Sequence, residues 1–194
     1  MQAAAATRST EPIDELTLRR AQRGDQRAWR DLIARFEQPV FALVWRLLVG
    51  RARHRVEDLT QETFVRVLRA LPRFDPQGPA SLSTWILTIA TRLALNELRR
   101  PEPAALDSAE EPAGDVRADD ASERSRLAAA IASGVDALPD AQRAVLVLRE
   151  YHDLDYADIA TVLEVDVGTV KSRLSRARTA LRDHLAAAGF GAKS

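Results

Sequence analysis

Residues 154–185, LDYADIATVLEVDVGTVKSRLSRARTALRDHL, decide how this chain folds. The spacing predicts two helices with a tight turn between them. Asp155 stands where a side chain can cap the first helix, and Asp158 follows in the capping-box position. Ile159, Ala160 and Leu163 give that helix one apolar side. The turn is Leu163-Glu164-Val165-Asp166, and Asp166 can cap the second helix by accepting from the free N–H groups of its first turn. Two helices joined this closely, the second one basic, form the signature of a DNA-reading helix-turn-helix.

The second helix resolves into faces at about 100° per residue. Val167, Val170, Leu174, Ala177 and Leu181 share one narrow sector, which is expected to face the protein. Opposite lie Gly168, Ser172, Ser175, Arg176 and Thr179. Lys171, Arg178 and Arg182 occupy one shoulder, Thr169 and Arg173 the other. Small polar residues and a central arginine suit close approach to base edges, and cations on the shoulders suit the phosphates that flank a major groove. Five cations and no acid fall between Val167 and Arg182. A solvated helix face normally mixes signs, so this one is read as a nucleic-acid surface.

Bulk charge hides the pattern. The chain has 194 residues with 28 cations and 28 acids. Residues 14–100 carry 16 cations against 10 acids, residues 101–126 carry 3 against 8, and the closing helix is basic again. There is no cysteine, which excludes a disulfide framework, a thiol nucleophile, a cysteine zinc site and a thiol redox sensor within the chain. No apolar run approaches the roughly 20 residues that span a bilayer. The N-terminus lacks the charged-then-apolar pattern of a secretory signal, so a cytoplasmic location without direct membrane insertion is expected.

Outward from the opening stretch, residues 1–13 are expected to form a tail and residues 14–100 a helical domain. Within it, helices are expected from Asp14 towards Gly24, from Asp25 through Trp29, Leu32, Ile33 and Phe36, and from Val40 to Val49. Pro39 is expected to break the chain or start a new first turn, and Gly50 to stop the apolar helix. Another helix is expected at Val56–Leu71, and a long one, capped by Ser81 or Ser83, reaching Arg100. Residues 101–122, rich in acid and proline, read as a flexible acidic linker. Residues 123–186 make a second domain, with helices from Glu123 to Val135 and Ala141 to Tyr151 before the helix-turn-helix, and 187–194 a tail. No strand signal stands out. The predicted fold class is all-α, two small helical domains on a tether.

In the first domain, Phe64, Val67, Leu68 and Leu71 are expected to pack inward, with Asp58, Gln61, Glu62, Val65 and Arg69 on the other side. That outer set is ordinary surface on its chemistry alone. Arg73, Phe74, Trp85 and Arg92 bracket the Pro/Gly segment PRFDPQGPA. Aromatics beside cations can stack any base and neutralise phosphate, although Trp85 reads first as a core residue anchoring Ile86 and Ile89. Trp29 and Trp45 are read as core.

VEDLTQETFVRVLRALPRFDP, then STWILTIA and LALNELRR, resemble the first conserved domain of extracytoplasmic-function sigma factors, the small members of the sigma-70 family. ALPDAQRAVLVLREYHDLDYADIATVLEVDVGTVKSRLSRARTALRDHL resembles their second conserved domain. The resemblance implies a non-catalytic subunit that binds core RNA polymerase and promoter DNA. It places Asp58, Gln61 and Glu62 at the polymerase clamp. Arg73, Phe74, Trp85 and Arg92 lie where the family captures the −10 element as melted strand. The second domain, with its Gly168–Arg182 face, would read the −35 element as duplex. An inhibitory anti-sigma protein is expected as a further partner, and no cofactor or small-molecule substrate. Two positions depart from the pattern. Arg92 stands where the family often has Asn, and Glu164 where a helix-turn-helix turn often has Gly.

Other readings are weaker. His54, His152 and His184 have no metal-ligand spacing, and no glycine loop for phosphate is present. Asp153, Asp155 and Glu164 match three positions of a calcium loop, but Asp158 occupies its required glycine. An adaptor bundle that binds only protein would not need the one-sided cations of Val167–Arg182, and the other alternative is a helix-turn-helix regulator that is not a polymerase subunit. Such a regulator would carry a ligand, receiver or dimer module where residues 14–100 stand.

Overall fold

The computed structural model describes residues 13–49, 52–100 and 123–190. These residues form α-helices and two short 3-10 turns, with no strand among them. The first group is α1 (Glu15–Gln22), α2 (Gln26–Leu47), α3 (Val56–Ala70) and α4 (Leu82–Leu98). The second is α5 (Glu123–Asp136), α6 (Asp140–Glu150), α7 (Tyr156–Leu163) and α8 (Val167–Ala187). The expected linker at 101–122, the stop at Gly50, residues 1–12 of the first tail and 191–194 of the second lie outside the described residues.

Short polar side chains set the helix starts. Asp14 accepts from the Thr17 amide at 2.8 Å, and Asp25 from the amides of Arg27 and Ala28 at 2.9 and 3.0 Å. Ser81, rather than Ser83, caps α4 by accepting from the Thr84 amide at 3.0 Å. Asp155 and Asp166 cap α7 and α8, each accepting at 2.7 Å from the amide three residues on. Each such cap is worth about 1 kcal/mol. Gly24 takes φ 85 between α1 and α2, a left-handed turn that glycine adopts without penalty.

Three expectations fail for identifiable reasons. Pro39 does not break the chain; it sits inside the continuous helix α2. A proline there costs roughly 3 kcal/mol. Leu32, Val40, Leu43, Val44 and Leu47 are essentially fully buried around it, and each such side chain contributes about 1.5–3 kcal/mol, so packing wins. Trp45 is not core but 39% exposed. It lies about 140° around the helix from Val40, where it stacks on Phe41 at 6.2 Å and carries the Arg53 guanidinium 4.1 Å above its ring. Leu68 is 49% exposed, although Phe64, Val67 and Leu71 are buried as expected.

The two helical groups pack together, and their buried residues form one continuous core. α6 lies on the C-terminal half of α2, and α7 lies along α4. Arg143 of α6 is buried and spends its guanidinium on main-chain carbonyls. It donates to Leu138 at 2.7 Å, Asp136 at 3.1 Å, Val135 at 3.3 Å and, across the junction, Leu47 at 3.0 Å. The Arg46 guanidinium stacks 4.1 Å over the Tyr151 ring, and Arg53 reaches Asp136 at 3.6 Å.

His152 sits in the same junction, with Nε2 buried and without a hydrogen-bond partner. Burial, reinforced by the Arg46 charge, lowers its pKa from 6.5 to about 4. The folded state therefore resists the proton that the unfolded state accepts. The stability held by neutral His152 is complete above pH 6.5 and declines as pH falls from 6.5 towards about 4. We expect urea midpoints of the wild type to fall across that window and those of His152→Leu to fall less. Identical pH slopes for the two proteins would contradict this.

Candidate nucleic-acid interface

The α8 surface follows the angular reading with one exception. Val170, Leu174 and Ala177 are buried and Leu181 is half-buried, but Val167 is 39% exposed because the first turn projects beyond its packing partners. Gly168, Lys171, Ser172, Ser175, Arg176, Arg178, Thr179 and Arg182 are all exposed, while Thr169 and Arg173 are half-buried. A Cβ on Gly168 would stand 2.9 Å from Asp166 Oδ1, so glycine here leaves room for the capping carboxylate. The Thr169 hydroxyl donates to Asp166 Oδ2 at 2.6 Å, and the Ser172 hydroxyl to the Thr169 carbonyl at 3.0 Å. Both serve the helix start in this state. The Thr169 hydroxyl first, and then its amide, lower the Asp166 pKa from its ordinary value.

Arg178 is not a bare cation. Its Nε and Nη2 donate to Glu150 Oε1 at 3.1 and 2.6 Å, and this bond raises its pKa further. Tyr156, the first residue of α7, lines the groove with Lys171, Ser175, Arg178, Thr179 and Arg182, and Arg149 lies 5.6 Å over its ring. Sequence reasoning missed both Glu150 and Tyr156. An aromatic directly after the Asp155 cap was the available signal for the second.

At the other surface, Phe74 meets Trp85 at 4.9 Å between ring centroids, tilted 38°. Both rings are half-buried, and Arg73 beside them is exposed. Trp85 therefore belongs partly to the core and partly to an aromatic pair at the surface. Gln22, also missed, holds this loop. Its Nε2 donates to the carbonyls of Leu71 at 3.1 Å and Phe74 at 2.7 Å. Arg92 lies on the same stripe of α4, two turns or about 10 Å beyond Trp85. It is not grouped with the rings but bonded to Glu164 Oε1 at 2.9 Å. Glu164 has φ 56 and ψ 46, so it takes the left-handed conformation that favours glycine.

On α3, Asp58 and Gln61 are exposed. Arg55 pairs with Asp58, and Arg66 pairs with Glu62 at 2.8 Å. Val65 at 38% and Leu68 at 49% exposure lie beside them. The face thus combines carboxylates with an apolar pair, a better docking surface than the carboxylates alone.

Two family models match. Sigma-70 region 2 covers residues 32–102, which takes in α3, the loop and α4, and Sigma-70, region 4 covers residues 128–181, which takes in the helix-turn-helix. The chain is 33% identical over 184 residues to the RNA polymerase sigma-H factor of Pseudomonas aeruginosa, covering 89% of this chain and 93% of that one. The chain belongs to the sigma-70 family, in its ECF branch. It is also 36% identical over 171 residues to the ECF RNA polymerase sigma factor SigE of Mycolicibacterium smegmatis, covering 84% of this chain and 65% of that longer one. Among solved structures, CnrH in complex with the cytosolic domain of CnrY is similar at 26% identity with a TM-score of 0.64, covering 90% of this chain and 97% of that one. This sigma factor accordingly has its α3–α4 surface within region 2 and its α8 surface within region 4. Among the described residues no helix is long and apolar enough to cross a membrane.

Proposed function

We propose that this sigma factor directs core RNA polymerase to promoters through three surfaces and carries no catalytic activity of its own. Residues 14–100 form the unit that docks on core through Asp58, Gln61 and Glu62 and takes the −10 element as melted strand at Arg73, Phe74, Trp85 and Arg92. Residues 101–122 link it to residues 123–186, whose α8 reads the −35 element as duplex. The observation that carries this reading is the α8 face, a row of exposed small polar residues and cations over a buried apolar stripe. A protein that acts beside polymerase in the cell is cytoplasmic. CnrH is solved with the cytosolic domain of CnrY on it. By analogy an inhibitory anti-sigma protein, helical and competing with core for the Asp58 and Glu62 face, restrains this chain. Footprinting of the complex of core, sigma factor and promoter tests the division of labour. Duplex protection near −35 together with permanganate-reactive thymines near −10 is expected. Protection of one duplex element without melting would exclude the −10 assignment.

Side chains on α8 separate by role. Arg176→Ala should cost about 1–3 kcal/mol at a single base pair of the −35 element. Arg178→Ala should weaken binding to every sequence alike and lower the salt slope by less than one phosphate's worth, about 0.9 per contact, because Glu150 already pairs with it. Glu150→Gln should tighten binding to all duplexes. Binding titrations on wild-type and singly mutated sites at several salt concentrations measure all three. Equal, sequence-independent losses for Arg176→Ala and Arg178→Ala would show that the face is assigned wrongly.

A further inference from the structure

Gln22 ends α1 and stands outside residues 32–102, the span of the region 2 match. Its helix is braced. Leu18 and Ala21 are buried, and the Arg20 guanidinium bonds Asp25 Oδ2 at 2.8 and 3.1 Å across the left-handed Gly24 turn. This helix packs on the turn Leu71–Arg73. The amide nitrogen of Gln22 donates to two main-chain carbonyls, Leu71 at 3.1 Å and Phe74 at 2.7 Å. The Leu71 carbonyl also takes the Phe74 amide at 3.0 Å. Beyond Phe74 the loop is shaped by short-range bonds. The Gln77 amide donates to Asp75 Oδ1 at 2.9 Å and the Gly78 amide to the Asp75 carbonyl at 3.1 Å. Such bonds give the loop its form but do not fix it to the body of the protein. Phe74 is fixed from two sides, its carbonyl by Gln22 and its ring by Trp85 at 4.9 Å between centroids.

We propose that Gln22 is a positioning residue of the −10 surface, which presets the Phe74–Trp85 pair so that an unstacked base of the melted strand meets the rings without reordering the loop. This rests on the assignment of that pair to the −10 strand. Stacking a base on a ring gains most when the ring is already fixed, because ordering a loop and a side chain opposes binding. The residue type suits the task. One amide nitrogen offers two donors in a plane, and two carbonyls three residues apart take both. Glutamate has the same shape but only accepts when ionised, and methionine has similar length and no donor. Both bonds are part-buried, so a variant without the donors leaves carbonyls that water satisfies only if the loop shifts. Gln22 need not touch the strand; it acts through Phe74.

The test uses holoenzyme assembled from core polymerase and the full chain. Its probe is the labelled non-template strand, across the −10 region, of a genomic fragment that yields a run-off transcript. Gln22→Met should weaken capture of this single strand about three- to tenfold and leave affinity for core and for the −35 duplex unchanged. Gln22→Glu, of the same size, should lose at least as much. Phe74→Ala should also lose strand capture. The double variant Gln22→Met with Phe74→Ala should bind the strand no worse than Phe74→Ala alone, since a residue that acts through Phe74 then has nothing left to position. Losses shared alike by core, duplex and strand would make Gln22 a folding residue, and additive losses in the double variant would place its action elsewhere; either overturns the proposal. Wild-type capture by both Gln22 variants beside an impaired Phe74→Ala overturns it too, and leaves the −10 assignment standing. Wild-type capture by Phe74→Ala overturns the −10 assignment at this pair, and the proposal with it.

Discussion

Asp58→Arg combined with Glu62→Arg is expected to abolish binding to core polymerase while leaving the far-ultraviolet circular dichroism unchanged. Asp58 and Glu62 lie on the outer side of α3 with side chains 60% and 43% exposed and pair, among the described residues, with Arg55 and Arg66 on their own and the adjoining turn. Exposed pairs of this kind contribute about 0–1 kcal/mol each, so folding tolerates their loss. Placing cations where a partner's cations are expected costs several kcal/mol, or more than about 100-fold in affinity. Val65 and Leu68 stay in place, so any residual binding reports their apolar share. A melted variant would make the carboxylates structural, and unchanged co-elution with core would remove α3 as the docking helix.

Arg143→Ala carries the largest expected loss of stability. Its guanidinium satisfies four carbonyls and faces Asp140 at 3.3 Å while 6% exposed. Truncation strands those carbonyls and empties a buried volume, which should cost roughly 3–5 kcal/mol. For a chain of this size that corresponds to a fall of about 10 °C in Tm. Arg143→Lys should recover little of it, because an ammonium cannot fork towards four acceptors. A fall below about 2 °C for the alanine variant would mean that water replaces the guanidinium without loss.

What could be read from the sequence follows from range. The caps at Asp14, Asp25, Asp155 and Asp166 are local events, each decided within three residues, and the two read as caps from spacing, Asp155 and Asp166, bond as expected. The α8 faces are nearly as local, since one apolar stripe fixes every other direction on the helix. Pro39 and Leu68 went against local expectation because packing by distant helices decides both, whereas Trp45 was misplaced on its own helix. Trp45 could have been placed by projecting it against Val40, Leu43 and Val44, whereas Leu68 sits at the margin of its stripe where only the neighbours decide. The junction could not be read at all. Arg46 with Tyr151, Arg143 with Leu47 and Arg92 with Glu164 span 72 to 105 residues, and each charged partner looks like ordinary surface in its own segment. The same distance hides the Glu150–Arg178 pair, which turns a cation that looks free into one already partly neutralised.

Run-off transcription on genomic fragments with purified core polymerase tests the central claim most directly. Adding this protein should produce discrete transcripts absent with core alone, without phosphorylation or a small ligand, and Asp58→Arg with Glu62→Arg should produce none. Repression without any new start site, or identical transcripts with and without the protein, would contradict the account.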